Sequence, residues 1–354
     1  MNNKDKIYVV HEYGAMSHYL GLIEYAKLQN SNVVFYEFGF VKKLILCFFK
    51  RKPKELRQCI NSILFMCRSA FMTGGRKIVL GIAPYDIRLV LLLFIFRKDN
   101  IYIHNSWPNW NSSSVPKSDI FGIKRKFWKY VFDKKLMGFF SVSYSTLRSA
   151  EEALEQPIKN ASVVYHTCED FWFQNFEIKL RPKIFIYVGR IDENKGITKI
   201  LDLANDHIDF KFSIVGSGKL DHLFDNYKGN NIVSHGYVSD RKLLRGLYSD
   251  SRFLLMPSIK SEHWEEAFGL AIIEAMSRGV IPITTNHSGP REILTGELSI
   301  FISEEANYKY HVDNIILNLS DSDIVYFSKL VRKRASDFNI EKISIRWQGI
   351  KTWI

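Results

Sequence analysis

Two carboxylates eight residues apart, Glu266 and Glu274, bracket the run Ala267-Phe268-Gly269-Leu270-Ala271-Ile272-Ile273. The apolar run reads as a helix, with residues 252–256 before it as a buried strand and 258–265 as a polar loop. In an open parallel sheet, a loop that leaves a strand in this way lies at the carboxyl edge, where ligands collect. The amides of Phe268, Gly269 and Leu270 open the helix toward that edge. A helix N-terminus favours an anion, and Gly269 lets a phosphate approach the backbone closely. Glu266 has two readings here, a ligand contact or an acid that complements the helix dipole. Glu274 sits among Leu270, Ile273, Ala275 and Met276, so burial is expected and a partner is required: ligand hydroxyls, or an Arg or Lys of the core. Arg190 and Lys195 supply two cations further upstream, the charge a departing diphosphate needs.

These residues belong to a series of strand-to-helix loops. Residues 184–188 lead into Gly189-Arg190-Ile191-Asp192-Glu193-Asn194-Lys195-Gly196, and 211–215 into Gly216-Ser217-Gly218-Lys219. Residues 231–234 lead into His235-Gly236-Tyr237-Val238, and 280–284 into a loop containing Ser288-Gly289-Pro290-Arg291-Glu292. Each loop is rich in glycine, charge or both, and all are expected on one rim. Strands alternating with helices imply a parallel sheet covered on both faces. The first half reads the same way, with strands at 6–10, 32–37, 77–82, 100–104 and 138–142 and helices at 17–28 and 54–71. On the latter helix Leu56, Ile60, Ile63, Leu64 and Cys67 fall on one face. The fold class expected is α/β, with two doubly wound, Rossmann-like domains facing across a cleft. They cover residues 1–175 and 180–338, and the segment 339–354 packs back on the first.

At 354 residues, 46% hydrophobic and 24% charged, the chain is globular and long enough for two cores. Cys47, Cys59, Cys67 and Cys168 form no C-x-x-C pair and the histidines show no metal-ligand spacing, so a reducing compartment is expected and a structural zinc site is not. The polar start, Met1 to Lys6, does not read as a secretory leader, and the longest apolar run, residues 89–96, falls far short of a membrane span. Lys and Arg outnumber Asp and Glu 24 to 9 in residues 1–150 but are outnumbered 25 to 28 in residues 151–354. A basic first half points to a polyanion or an anionic membrane. Residues 41–54 and 124–129 interleave lysines and arginines with Leu, Ile, Phe and Trp, which suits a bilayer surface. The same pattern also describes a core face beside a solvated one. No nucleic-acid motif appears.

Gly-Arg-x4-Lys-Gly, Val-Gly-x-Gly, His-Gly-Tyr-Val, Glu-x7-Glu within Glu-Ala-Phe-Gly-Leu, and Gly-Pro-Arg-Glu follow one another between Phe185 and Leu294. In this order they resemble the C-terminal domain of retaining glycosyltransferase family 4 enzymes, which have the GT-B fold. The resemblance implies a nucleotide-sugar donor, UDP- or GDP-linked. It assigns Arg190 and Lys195 to its diphosphate, Glu266 and the backbone at Phe268, Gly269 and Leu270 to its sugar and phosphate, and Glu274 to its ribose. Gly216 lies in the same phosphate rim, and the backbone at Tyr237 and Val238 would meet the base. In the first half Gly14 stands at a glycine turn near the phosphates, and His104 where the family has a histidine close to the reacting sugar. No metal is expected, on the reading that the chain has no Asp-x-Asp triplet to hold a divalent ion. The resemblance further implies transfer with retention to a glycan or a polyprenyl-diphosphate-linked acceptor, as in O-antigen or capsule assembly. The enzyme would then be cytoplasmic or peripheral on the inner membrane face. A sugar-nucleotide epimerase of the UDP-N-acetylglucosamine 2-epimerase kind and a non-catalytic scaffold subunit are the alternatives.

Overall fold

The computed structural model describes residues 5–12, 16–39, 53–111, 119–174, 176–262 and 264–350. They form two compact domains, one of residues 1–166 with 340–354, the other of residues 167–339. Residues 167–180 therefore belong with the second domain, and Trp172 is fully buried there.

The first domain is a six-stranded parallel sheet in the order β2-β1-β3-β4-β5-β6. Its strands are β1 (Lys6–His11), β2 (Asn32–Glu37), β3 (Lys77–Gly81), β4 (Asn100–Asn105), β5 (Leu136–Ser141) and β6 (Ala161–Val163). Sequence reading places the fifth strand two residues late and passes over β6, whose three residues give no periodicity to detect. Strand alternation sorts the core into two layers. Ile7, Val9, Val79, Tyr102 and Phe140 face one side, and Val10, Ile78, Leu80, Ile101, Ile103 and Phe139 the other.

Helix Leu20–Leu28 and the C-terminal helix Ile340–Ile345 cover the first side. Gly21 is the contact point: a Cβ there would lie 2.9 Å from Ile343 Cγ2 and 3.1 Å from Trp347 Nε1. Trp347 is buried against Phe140 at 4.7 Å and His104 at 5.6 Å, and the Tyr25 hydroxyl donates to the Ile350 carbonyl at 3.2 Å. Helices Pro53–Ser69, Arg88–Ile95 and Ile123–Lys134 cover the second side through Met66, Leu89, Leu92, Trp128 and Val131. The helix 53–69 does not bury the stripe that its sequence singles out. Cys59, Ser62, Met66 and Ser69 turn inward, while Ile60, Leu64 and Cys67 are exposed.

The second domain is a six-stranded parallel sheet in the order β12-β11-β10-β7-β8-β9. It comprises β7 (Ile184–Val188), β8 (Lys211–Val215), β9 (Ile232–Ser234), β10 (Phe253–Met256), β11 (Ile281–Thr285) and the two-residue β12 (Ile302–Ser303). Counted from its own first strand, this order is 3-2-1-4-5-6, that of dinucleotide-binding sheets, and it reverses between β7 and β10. Every residue of β10 and β11 is buried, as a strand covered on both faces requires.

Replacing Trp347 by Ala leaves a cavity against β4, β5 and helix 20–28. Urea denaturation of the variant should show about 3–5 kcal/mol of lost stability, and a loss under 1 kcal/mol would contradict the packing described.

Candidate functional site

The strand order of the second domain reverses between β7 and β10, so the loops after these two strands flank the crevice where such sheets bind ligands. The loop after β7 carries Arg190 and Lys195, and the loop after β10 carries Glu266. The Lys195 ammonium donates to Glu266 Oε2, and it lies 4.8 Å from the centre of the Trp264 ring. Both side chains are mostly shielded, with 15% and 14% of their surface exposed. Arg190 is held less tightly, 3.3 Å from Asp192 and 67% exposed, free to turn toward a ligand.

Glycines press these loops together. A Cβ on Gly216 would overlap the Gly189 carbonyl, one on Gly218 the Ile191 carbonyl, one on Gly196 the Pro257 carbonyl, and one on Gly289 the Phe268 backbone. Gly216 and Gly196 also have positive φ, 143° and 66°, which side chains other than glycine rarely adopt. Backbone hydrogen bonds stitch the same neighbours. Gly189 N–H donates to Val215 O at 3.0 Å, Ile191 N–H to Ser217 O at 3.2 Å, Gly216 N–H to Gly236 O at 2.8 Å, and Ile259 N–H to Asn194 O at 2.8 Å. The five loops read from sequence thus form one connected rim.

Glu266 is fixed through its backbone by residues after β11. Its N–H donates to His287 Nδ1 at 3.2 Å, and its carbonyl accepts from Gly289 N–H at 2.9 Å. His287 is fully buried, with Nε2 3.0 Å from the Ser258 carbonyl, a pairing that assigns its proton to Nε2. Sequence reading missed His287. Its only signal is a histidine at a strand end directly ahead of Ser288-Gly289-Pro290. The helix Leu270–Ser277 starts at Gly269, whose φ is 99°, and no side chain caps it. Its first turn therefore presents backbone amides and the positive end of the helix dipole. Phe268, one residue earlier, is buried.

Glu274 takes the core alternative. Its Oε1 accepts from the Arg241 guanidinium at 2.8 Å and its Oε2 from the Tyr248 hydroxyl at 3.3 Å. Burial raises its pKa, against the opposing pull of Arg241. Arg241, the first residue of helix Arg241–Asp250, also lies 3.8 Å from Glu169 and 5.0 Å from the Trp172 ring centre. Tyr237 is exposed and Val238 half-buried in the loop after β9. One Asp-x-Asp triplet does occur, Asp321-Ser322-Asp323, but Asp323 closes a capping box with Ser320 at the start of helix Asp321–Ala335. Among the described residues no group of three His, Cys, Asp or Glu side chains is placed to hold a metal ion.

In the first domain Gly14 lies outside the described residues. His104, on β4, is buried beside Tyr19 at 4.7 Å, and its Nε2 has no hydrogen-bond partner among the described residues. Three more imidazoles surround it. His166 is 6.1 Å from His104, His18 is 4.4 Å from His166, and His11 is 6.4 Å from His18. Gly81 makes room for the cluster, since a Cβ there would meet the His11 ring and lie 2.6 Å from the Tyr19 hydroxyl. Burial lowers the pKa of all four, with their mutual repulsion adding for His11, His104 and His166; that of His11 falls to about 4.

Residues 169–334 match the family Glycosyl transferases group 1. An uncharacterized glycosyltransferase of Methanocaldococcus jannaschii is 30% identical over 125 residues, 34% of each chain. A putative colanic acid biosynthesis glycosyltransferase of Escherichia coli, WcaL, is 23% identical over 175 residues, 46% of this chain and 43% of its own. The matched region thus spans less than half the length of either relative. Among solved structures, a glycosyltransferase from Rickettsia africae superposes with a TM-score of 0.70 at 18% identity, covering 99% of this chain and 100% of that one. HepE of Anabaena, solved with UDP, superposes with a TM-score of 0.66 at 13% identity, covering 96% and 97%. The fold is the two-domain α/β fold of GT-B glycosyltransferases.

The histidine cluster makes stability depend on pH. Folded His11 has a pKa near 4 against 6.5 unfolded, and the other three are lowered too, so below pH 6.5 the unfolded chain takes up protons that the folded chain refuses. This contribution is complete above pH 6.5 and is lost as pH falls toward 4, by about 1.4 kcal/mol per pH unit for each proton. Urea midpoints measured from pH 7.5 to 4.5 should fall, and His104→Gln should flatten the slope. An equal slope in the variant would contradict this.

Proposed function

We propose that the protein is a glycosyltransferase that moves a sugar from a nucleoside diphosphate to a glycan or lipid-linked glycan. The observation that carries this reading is the Lys195–Glu266 pair, set at the switch point of a 3-2-1-4-5-6 sheet beside an uncapped helix start. The match of residues 169–334 to the group 1 family supports it, and so does the UDP bound by structurally similar HepE.

In this reading Lys195, Arg190 and the amides at Gly269 and Leu270 take the donor diphosphate. When the bond from the anomeric carbon to the phosphate oxygen breaks, its electron pair leaves with the nucleoside diphosphate. Cations and an oriented helix end, already in place, stabilise that charge without reorganisation. The acceptor oxygen bonds to the anomeric carbon and gives up its proton to the departing phosphate oxygen. Glu266, released from Lys195 by the incoming phosphate, accepts a hydrogen bond from a hydroxyl of the donor sugar. Transfer goes with retention, the acceptor arriving on the face the diphosphate leaves. Positive charge on the rim comes from side chains, and no metal is required. The backbone at Gly216 closes the phosphate rim, and that at Tyr237 and Val238 meets the base.

Glu274 has the choice of two partners. Ribose hydroxyls would have to share it with Arg241, which makes Arg241 part of the nucleoside pocket. In the first domain neutral His104, with Nε2 unengaged, is available to hydrogen-bond a sugar hydroxyl. The acceptor is a surface polysaccharide precursor of a bacterium, carried on a lipid diphosphate, and the enzyme works at an anionic membrane face from the cytoplasmic side. WcaL, named for colanic acid biosynthesis, supports the polysaccharide reading.

Turnover of a panel of UDP- and GDP-sugars, read as nucleotide release, tests the site. Lys195→Ala and Glu266→Gln should each lower kcat about 100- to 1000-fold, in protein that far-UV circular dichroism shows to be folded. Wild-type turnover in both variants would sink the assignment. Interconversion of donor sugars without acceptor would favour the epimerase reading instead.

A further inference from the structure

Helices 53–69, 88–95 and 123–134 pack on one layer of the first-domain core, so their outer faces share one side of that domain. The outer face of the second is apolar, and apolar side chains are exposed among the charges of its neighbours. Ile87, Val90, Leu91 and Phe94 are exposed along the second helix, with Phe94 at 62%, and Ile60 and Leu64 along the first. Phe71 and Phe121, at the ends of the flanking helices, are each 88% exposed. Val90, Phe94, Phe127 and Tyr130 line a shallow groove of about 250 Å³ between the second and third helices. Ile87, Val90, Leu91 and Phe94, at helical spacing beside this groove, make an exposed apolar ridge, and such ridges mark sites of contact.

Its charge identifies what covers it. Residues 53–135 hold 15 Lys and Arg against 5 Asp and Glu. Four of those acids are already engaged: Asp99 by Arg76, Asp86 by Arg88, Asp119 by Arg125, and Asp133 by Gln156. Arg97, Lys98, Lys126, Lys134 and Lys135 are exposed around the apolar ridge, and Arg97 lies over the Phe94 ring at 5.1 Å. At the edge of the sheet a second groove, about 670 Å³, gathers Lys6, Lys54, Arg57, Arg68 and Arg76. Apolar side chains ringed by cations match the interface of an anionic bilayer, where insertion and charge attraction add. A second copy of the chain would bring two positive rims together, which opposes self-association.

We propose that the outer faces of helices 53–69, 88–95 and 123–134 dock on an anionic lipid bilayer, with Leu91 and Phe94 inserted and the groove of Arg57 and Arg68 receiving lipid phosphates. This deepens the lipid-linked acceptor reading above, on which its biological use rests, by naming the surface that meets the membrane.

Co-sedimentation of the full chain with vesicles tests it without any sugar donor. The protein should pellet with vesicles of 30% phosphatidylglycerol in phosphatidylcholine and remain in solution with phosphatidylcholine alone. Leu91→Ser/Phe94→Ser should weaken binding at least 10-fold at an unchanged thermal midpoint, and Arg57→Glu/Arg68→Glu should do the same. Equal pelleting of wild type and both variants, or none of wild type on either vesicle, would overturn the proposal. So would a concentration-dependent dimer, seen by sedimentation velocity, that Leu91→Ser/Phe94→Ser abolishes. Nucleotide release is read in parallel: docking with no turnover overturns the transferase reading and supports this one, and turnover with no docking does the reverse.

Discussion

The closeness of backbone to backbone along the carboxyl edge of the second sheet is the constraint on which the rest depends. Four loops meet at glycines where a Cβ would strike the neighbouring main chain: Gly216 on Gly189, Gly218 on Ile191, Gly196 on Pro257 and Gly289 on Phe268. Two consequences follow from packing main chain against main chain. The loops are held by backbone hydrogen bonds, which do not depend on rotamers, and their charged side chains are left to meet a ligand. Lys195 and Glu266 meet where Gly196 seats one loop on the other beside Pro257.

The same constraint sets the electrostatics. A lysine and a glutamate that neutralise each other can wait in a shielded crevice at little cost, where a lone charge there would be expensive. In the function proposed, binding of a diphosphate exchanges one partner of Lys195 for another. Glu266 cannot drift when this happens, because His287 and Gly289 hold its backbone from both sides. Glu274 is built on the opposite plan, satisfied in advance by Arg241 and Tyr248 in the interior.

Much of the second domain was legible in the sequence, because its strands are continuous apolar runs and its loops are punctuated by glycine. Residues 184–188 and 211–215 are strands over the range read from the sequence, and the five loops do share a rim. What was not legible needed tertiary information. The helix start moved from Phe268 to Leu270 because Gly269 takes a left-handed conformation. Whether Glu274 meets a ligand or an arginine depends on where helix 241–250 lies, which its own residues do not encode. His287 gave no pattern, since its role comes from one hydrogen bond to a backbone amide 21 residues away in sequence. On helix 53–69 periodicity found an apolar stripe but could not tell a core face from an exposed one, and the exposed one proved to hold Ile60 and Leu64.

The central claim is that the rim around Lys195 and Glu266 receives a nucleoside diphosphate. Isothermal titration of UDP and GDP into the full chain tests it without reference to acceptor or membrane. One of the two should bind, and Lys195→Ala should weaken it at least about 10-fold, the equivalent of losing one charge-assisted contact. No binding of either nucleotide, or equal binding by the variant, would contradict the account.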